Sequence, residues 1–302
     1  MIDILSKNLP MLAGLVFILG LLFGSFLNVV IHRLPLILNR EWRATATEIL
    51  TEASCSVSCP KDGLPEKYNL ITPRSACPKC KHQITSMENL PVISWLVLRG
   101  KCSNCKAKIS VRYPFVELLT AVTFMVCAIT FGWSWSLVFA LIFTCFLIAG
   151  SFIDYDHKIL PDQLTLPLVW IGLVAALWLS PELVQPSFAK DLPSAVIGAL
   201  AGYLSLWSIY WLFKLLTGKE GMGHGDFKLL AALGAFLGWQ MLPLVILLST
   251  VTGAILGITA MVISKKGRDY KIPFGPFLAI AGWIALIWGE TITNTYIQML
   301  QP

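Results

Sequence analysis

The stretch MLAGLVFILGLLFGSFLNVVIHR, Met11 to Arg33, decides the class of this protein. It runs without a charge from Met11 to Ile31, matching the about 20 residues that span roughly 30 Å of hydrocarbon. Only Lys7 precedes it as a cation, His32 and Arg33 follow it directly, and no small-residue cleavage site follows. A secretory signal peptide has the opposite charge order. The expectation is a retained membrane helix with its N-terminus outside.

The rest of the chain continues in the same manner. Its 302 residues are 56% hydrophobic and only 13% charged, with a mean hydropathy of +0.72. A soluble domain carries about 25% charged residues, so one water-soluble core cannot hide this much apolar surface. Further apolar stretches fall near 114–131, 135–153, 163–180, 193–216, 228–239, 241–263 and 274–293. The stretch 228–239 is short, with Pro243 just beyond it. Charge sets the orientation. Of 23 Lys and Arg, 21 lie in segments 32–113, 154–162, 214–228 and 264–273, leaving Lys7 and Lys190. Cationic segments stay on the cytoplasmic side. The sequence predicts an all-α polytopic membrane protein of about eight transmembrane helices, both ends outside. It comprises a first helix (1–31), a small cytoplasmic domain inserted after it (32–113) and a bundle (114–302). The positive charge serves topology and contact with anionic lipid headgroups, and no nucleic-acid partner is expected.

The 32–113 segment has few large apolar residues and needs a staple to fold. Cys77-Pro-Lys-Cys80 and Cys102-Ser-Asn-Cys105 supply one, and each continues as Cys-Lys-x-x-Ile. Two such turns can set four thiolates around structural Zn²⁺ in a zinc-ribbon-like site, coordinatively closed and so not catalytic. The competing reading is disulfides, which need an oxidising compartment. Cys55 and Cys59 are extra ligands or free thiols; Cys127 and Cys145, in apolar stretches, read as small core hydrophobes.

Ionisable groups beside membrane spans are costly and invite a functional reading. One cluster is Ser151-Phe-Ile-Asp154-Tyr-Asp156-His-Lys-Ile-Leu-Pro161-Asp162, and a second is Gly221-Met-Gly223-His-Gly225-Asp226-Phe-Lys228. The charge topology puts both on the cytoplasmic side at similar depth. Two carboxylates sharing a site supply an acid and a base together, which can drive water onto a peptide carbonyl. The glycines let backbone approach a substrate and adopt positive φ. Blander roles compete. Asp162 reads as a helix N-cap, Asp226 as the cap of the next helix, Asp156 as solvated, and His157 and His224 as interfacial surface. Spacing does not choose between Asp154 and Asp156.

Taken in order, these elements resemble the type IV prepilin peptidases, the bifunctional leader peptidase and N-methyltransferases of Gram-negative bacteria. The matching stretches are Gly24-Ser-Phe-Leu-Asn-Val-Val-Ile-His-Arg-Leu-Pro35, both cysteine knuckles, Arg112-Tyr-Pro-Phe-Val-Glu117, Phe152-Ile-Asp154 through Pro161-Asp162, Gly221 to Lys228, and Ile272-Pro-Phe-Gly-Pro276. The G-x-G-D element is shared with other intramembrane aspartyl proteases. The resemblance implies inner-membrane location and cleavage of type IV prepilin and type II secretion pseudopilin leaders. It further implies N-methylation of the new N-terminus from S-adenosylmethionine. It implies Asp154 and Asp226 as the catalytic pair, with Gly223 and Gly225 toward the substrate. No G-x-G-x-x-G follows a recognisable strand, so the methyl-donor site is not located. Two other classes compete: a transporter using the aspartates as an ion relay, which predicts inverted repeats, and a scaffold using the knuckles to bind partners.

Overall fold

The computed structural model describes residues 8–52, 63–179, 188, 191–219, 221–264 and 273–300. Cys55 and Cys59 lie outside the described residues. The elements are α1 (Leu9–Glu52), α2 (Ile93–Val97), α3 (Arg112–Phe131), α4 (Trp135–His157), α5 (Asp162–Trp178), α6 (Leu192–Thr217), α7 (His224–Leu237), α8 (Leu242–Ser264) and α9 (Gly275–Leu300). Two isolated antiparallel bridges are the only extended pairing among the described residues. Local chemistry sets several boundaries. Ser134 accepts from Leu137 N at 3.2 Å to open α4, and Asp191 accepts from Ser194 N at 2.7 Å to open α6, with Pro193 in its first turn. Each satisfies an otherwise orphaned N–H.

The eight apolar stretches correspond to α1 and α3–α9. Among the described residues, six helices are long and apolar enough to cross a membrane: α1, α3, α4, α6, the segment from Trp239 into α8, and α9. Helix α5, with 17 residues, and α7, with 14, are shorter, about 26 and 21 Å at 1.5 Å per residue. Where eight spans were expected, the described residues give six helices of spanning length and two shorter ones. Helix α7 can be short because the bundle wraps it: Asp226, Phe227 and Leu229 to Leu237 are all buried. A helix apolar on every side belongs in a core.

Helix α1 does not end at Ile31. It runs for 44 residues in all, from Leu9 to Glu52. Hydropathy marks where a helix leaves apolar surroundings, not where its hydrogen bonds stop. Residues 36–52 are mostly Leu, Ile, Arg, Glu, Ala and Thr with no Gly or Pro, and they carry the helix on.

The chain divides into two compact units, residues 17–122 and the segments on either side. In the first, Gly20 and Gly24 bring α1 against α3: a Cβ on either would lie 2.6 Å from the Cα of Ala121 or Glu117. This is the small-residue packing of membrane helices, used within the chain. Buried Arg33 donates to the carbonyls of Asn69 at 2.9 Å and Pro73 at 2.6 Å, tying the 69–73 turn to α1. Glu117 accepts from Val92 N at 2.7 Å.

In the second unit, α7 packs on α5, α6 and α9. Gly198 of α6 meets Gly234 of α7 so closely that a Cβ on either would strike the other's carbonyl. Phe143 meets Phe236 with tilted rings, 4.6 Å between centroids. The outer surface stays apolar: Leu215 is 77% exposed, Trp170 68% and Leu177 70%. Contact with lipid makes such a surface favourable.

Candidate active site and cysteine centre

Each knuckle is a closed local turn. Cys77 N donates to His82 O at 2.9 Å and Lys81 N donates to Cys77 O at 2.9 Å. Its repeat matches: Cys102 N donates to Ala107 O at 2.8 Å and Lys106 N donates to Cys102 O at 3.1 Å. Lys81 and Lys106 occupy equivalent left-handed positions, φ 59° and 58°. The four sulfurs lie within 4.8 Å of one another, with Cys77–Cys105 at 3.8 Å and Cys80–Cys102 at 3.9 Å. A tetrahedron of Zn–S bonds near 2.3 Å has edges of about 3.8 Å, whereas a disulfide needs about 2.05 Å. All four cysteines are free thiols, so the set fits a metal and not a pair of bridges. N–H groups of Cys80 and Lys79 aimed at Cys77 pull its thiol down to about 6. Ala107 N–H also pulls on Cys105, but the Cys80 sulfur and burial push it up to about 11. His82 pairs with Glu88 at 3.3 Å. Cys127 is buried, its Sγ 3.7 Å from Thr144 Oγ1.

The acidic clusters separate by burial. Asp154, near the end of α4, is 6% exposed and Asp226, in the first turn of α7, is 8% exposed. Asp156 and Asp162 are exposed. The N-cap of α5 is Pro161, not Asp162. Asp162 instead sits in the first turn, where its oxygens accept from Lys228 Nζ at 2.6 and 2.8 Å. Proline fixes its own φ and suits a helix start, which moves the acid one position in. Asp226 is no cap either: Gly223 holds that position without a side-chain bond. His157 and His224 are exposed, the latter 5.2 Å from the Tyr210 ring.

Asp154 Oδ2 accepts from Gly275 N at 3.0 Å in a buried setting. That N–H opens α9 and has no partner within its own helix, so the carboxylate acts as a cap from another helix. Asp226 Oδ1 is buried with no hydrogen-bond partner among the described residues. Asp154 lies near enough to act on Asp226 electrostatically. Leu160 packs beside both Gly225 and Gly275. A Cβ on Gly225 would lie 2.7 Å from Leu160 Cβ, and one on Gly275 would lie 3.0 Å from Leu160 Cδ1 and 2.6 Å from Asp154 Oδ2.

The glycines of the second cluster differ from the expectation. None of Gly221, Gly223 and Gly225 has positive φ. The space beside Gly225 belongs to Leu160, while Gly223 is exposed, 3.7 Å from Asp226 Oδ2 where a Cβ would stand. Sequence reasoning missed Leu160 and Gly275. Gly275 lies in the Ile272-to-Pro276 stretch of the resemblance, the one signal that marked it.

Comparison with known proteins agrees with this architecture. Residues 18–131 match the bacterial peptidase A24 N-terminal domain, and residues 141–258 match the type IV leader peptidase family. A prepilin leader peptidase/N-methyltransferase of Aeromonas salmonicida strain A449 is 54% identical over 297 residues, 98% of either chain. Its namesake in Pseudomonas aeruginosa is 52% identical over 281 residues, 93% of this chain and 92% of the relative. That of Legionella pneumophila is 46% identical over 298 residues, 98% of this chain and 99% of the relative. No solved structure matches the chain. With both domain matches in order and about half of all residues shared end to end, the chain belongs to the type IV leader peptidase family.

Proposed function

We propose that this protein is a two-activity inner-membrane enzyme that cleaves the leader of type IV prepilins and type II secretion pseudopilins, then N-methylates the new N-terminal residue. The observation that carries the proteolytic reading is the pair Asp154 and Asp226, both buried, on α4 and α7. One carboxylate takes a proton from water as its oxygen adds to the scissile carbonyl carbon; the other donates a proton to the carbonyl oxygen. The tetrahedral intermediate then collapses, the C–N bond breaks, and the nitrogen leaves with a proton. The Gly275 N–H holds Asp154 oriented, and Gly223 leaves room for substrate backbone beside Asp226. Space near Gly225 serves the chain's own Leu160 first.

The exposed apolar bundle surface supports a multi-pass membrane location. The clustering of 21 of 23 cations supports placing the aspartates and the cysteine region at the cytoplasmic face. A prepilin, with a basic leader followed by an apolar helix, presents its cleavage site at that interface. In methylation the free amine loses one proton and takes the methyl carbon of S-adenosylmethionine, whose thioether product leaves. Cys77, Cys80, Cys102 and Cys105 hold a structural Zn²⁺, supported by the sulfur spacing.

The test is incubation of the purified chain with a prepilin and S-adenosylmethionine, followed by mass measurement of the mature N-terminus. Loss of the leader with a gain of one methyl group is expected. An intact prepilin would overturn the proposal.

A further inference from the structure

One charged pair beside the aspartates has no part in the chemistry above. Lys228 Nζ donates to both oxygens of Asp162, at 2.6 and 2.8 Å, across 66 residues of chain. Its place in the fold is specific. Helix α4 ends at His157, and the N–H of the capping Lys158 returns to Asp154 O at 2.8 Å. Residues 159–161 then lead directly into α5 at Asp162. This short strap touches the first turn of α7 at two points on either side of Asp226: Leu160 fills the space of Gly225, and Asp162 binds Lys228. The strap therefore ties the end of the helix carrying Asp154 to the first turn of the helix carrying Asp226.

We propose that Asp162 and Lys228 are a positioning pair that sets the separation of Asp154 and Asp226, an inference that rests on the aspartate-pair reading. The pair is partly open to solvent, with side-chain exposures of 53% for Asp162 and 28% for Lys228. Ion pairs so exposed add little to stability. Their value here is geometric, because a shift of about 1 Å in a reacting group can slow an enzyme by about 10²-fold. Leu160 supplies contact without direction, whereas the ammonium against both carboxylate oxygens fixes the register of the α7 first turn against the strap.

The experiment measures kcat and KM for prepilin cleavage by the full-length chain carrying Asp162→Asn, Lys228→Met, both together, or Lys228→Arg. N-methylation of an already cleaved pilin is followed on the same preparations as the readout that a general loss of structure would also lower. We expect either single change to lower kcat about 10- to 100-fold, with KM and methylation near the parent values. The double variant is expected to be no slower than the slower single, because both changes break one interaction. Lys228→Arg, which keeps the charge, is expected to retain most of the rate. Full cleavage by the single variants, additive losses in the double, or a parallel loss of methylation would each overturn the proposal. Asp154→Asn and Asp226→Asn run alongside. If these still cleave, the aspartate-pair reading has failed; if they are silent while the pair variants cleave normally, only the positioning role has failed.

Discussion

The cysteine centre and the aspartate site both bring ionisable side chains together, but over different lengths of chain. Each knuckle closes through hydrogen bonds between residues no more than five apart, such as Cys77 N to His82 O. The two copies then meet at their sulfurs, Cys77 against Cys105 and Cys80 against Cys102. The aspartates have no such local frame. Asp154 is oriented by a backbone N–H 121 residues away, and Asp226 is placed by the burial of α7 among α5, α6 and α9. The first centre is a property of short motifs and the second a property of the bundle. Damage to one is therefore expected to stay in its own unit.

The largest expected effect breaks the bundle. Gly198→Leu or Gly234→Leu forces a side chain into the other helix's carbonyl, and overpacking costs about 1–3 kcal/mol or more. Loss of folded protein in detergent melts, with cleavage lost alongside, is the expected outcome. Gly275→Ala is narrower: its Cβ would crowd Asp154 Oδ2 at 2.6 Å. A fall in cleavage of about 10²-fold, at unchanged metal content, is expected in paired kinetic and elemental measurements.

On the other side, Cys77→Ser or Cys102→Ser should take the metal from about one Zn²⁺ per chain to none and make residues 63–111 sensitive to protease. Acid should act in the same direction. A thiol held below its ordinary 9.0 stabilises the fold fully above pH 9 and loses that contribution as pH falls through about 6. Zinc is bound by thiolate, so protons compete for the ligands over the same range. Metal release on titration below about pH 6, followed with a zinc indicator, checks this. The smallest effect concerns His224, which touches Tyr210 and Phe227 only through its ring. His224→Ala should change cleavage by less than about threefold, the scale of a single exposed contact.

What was legible in the sequence follows the same division. The knuckles could be read directly because ligand type, spacing and repetition lie within a few residues. The helices could be read from hydropathy, and the family from its motifs in order. The end of α1 could not be read, because hydropathy falls at His32 while helix propensity persists to Glu52. Asp162 was misplaced by one position because Pro161 takes the cap. The glycines near Asp226 suggested room for a substrate, yet at Gly225 that room is filled by Leu160, a contact that only the packed bundle reveals. Burial likewise separates Asp154 from Asp156, two positions apart on α4, a distinction that residue type and spacing left open.

The central claim is that Asp154 and Asp226 together cut the substrate. It is tested most directly by giving Asp154→Asn and Asp226→Asn proteins, each shown to be membrane-inserted and zinc-loaded, a purified prepilin and following leader release by mass. Each amide keeps the shape of the carboxyl group but cannot hold or pass its proton. No detectable leader release by either variant is the expected result, and cleavage at the parent rate by either one would contradict the account.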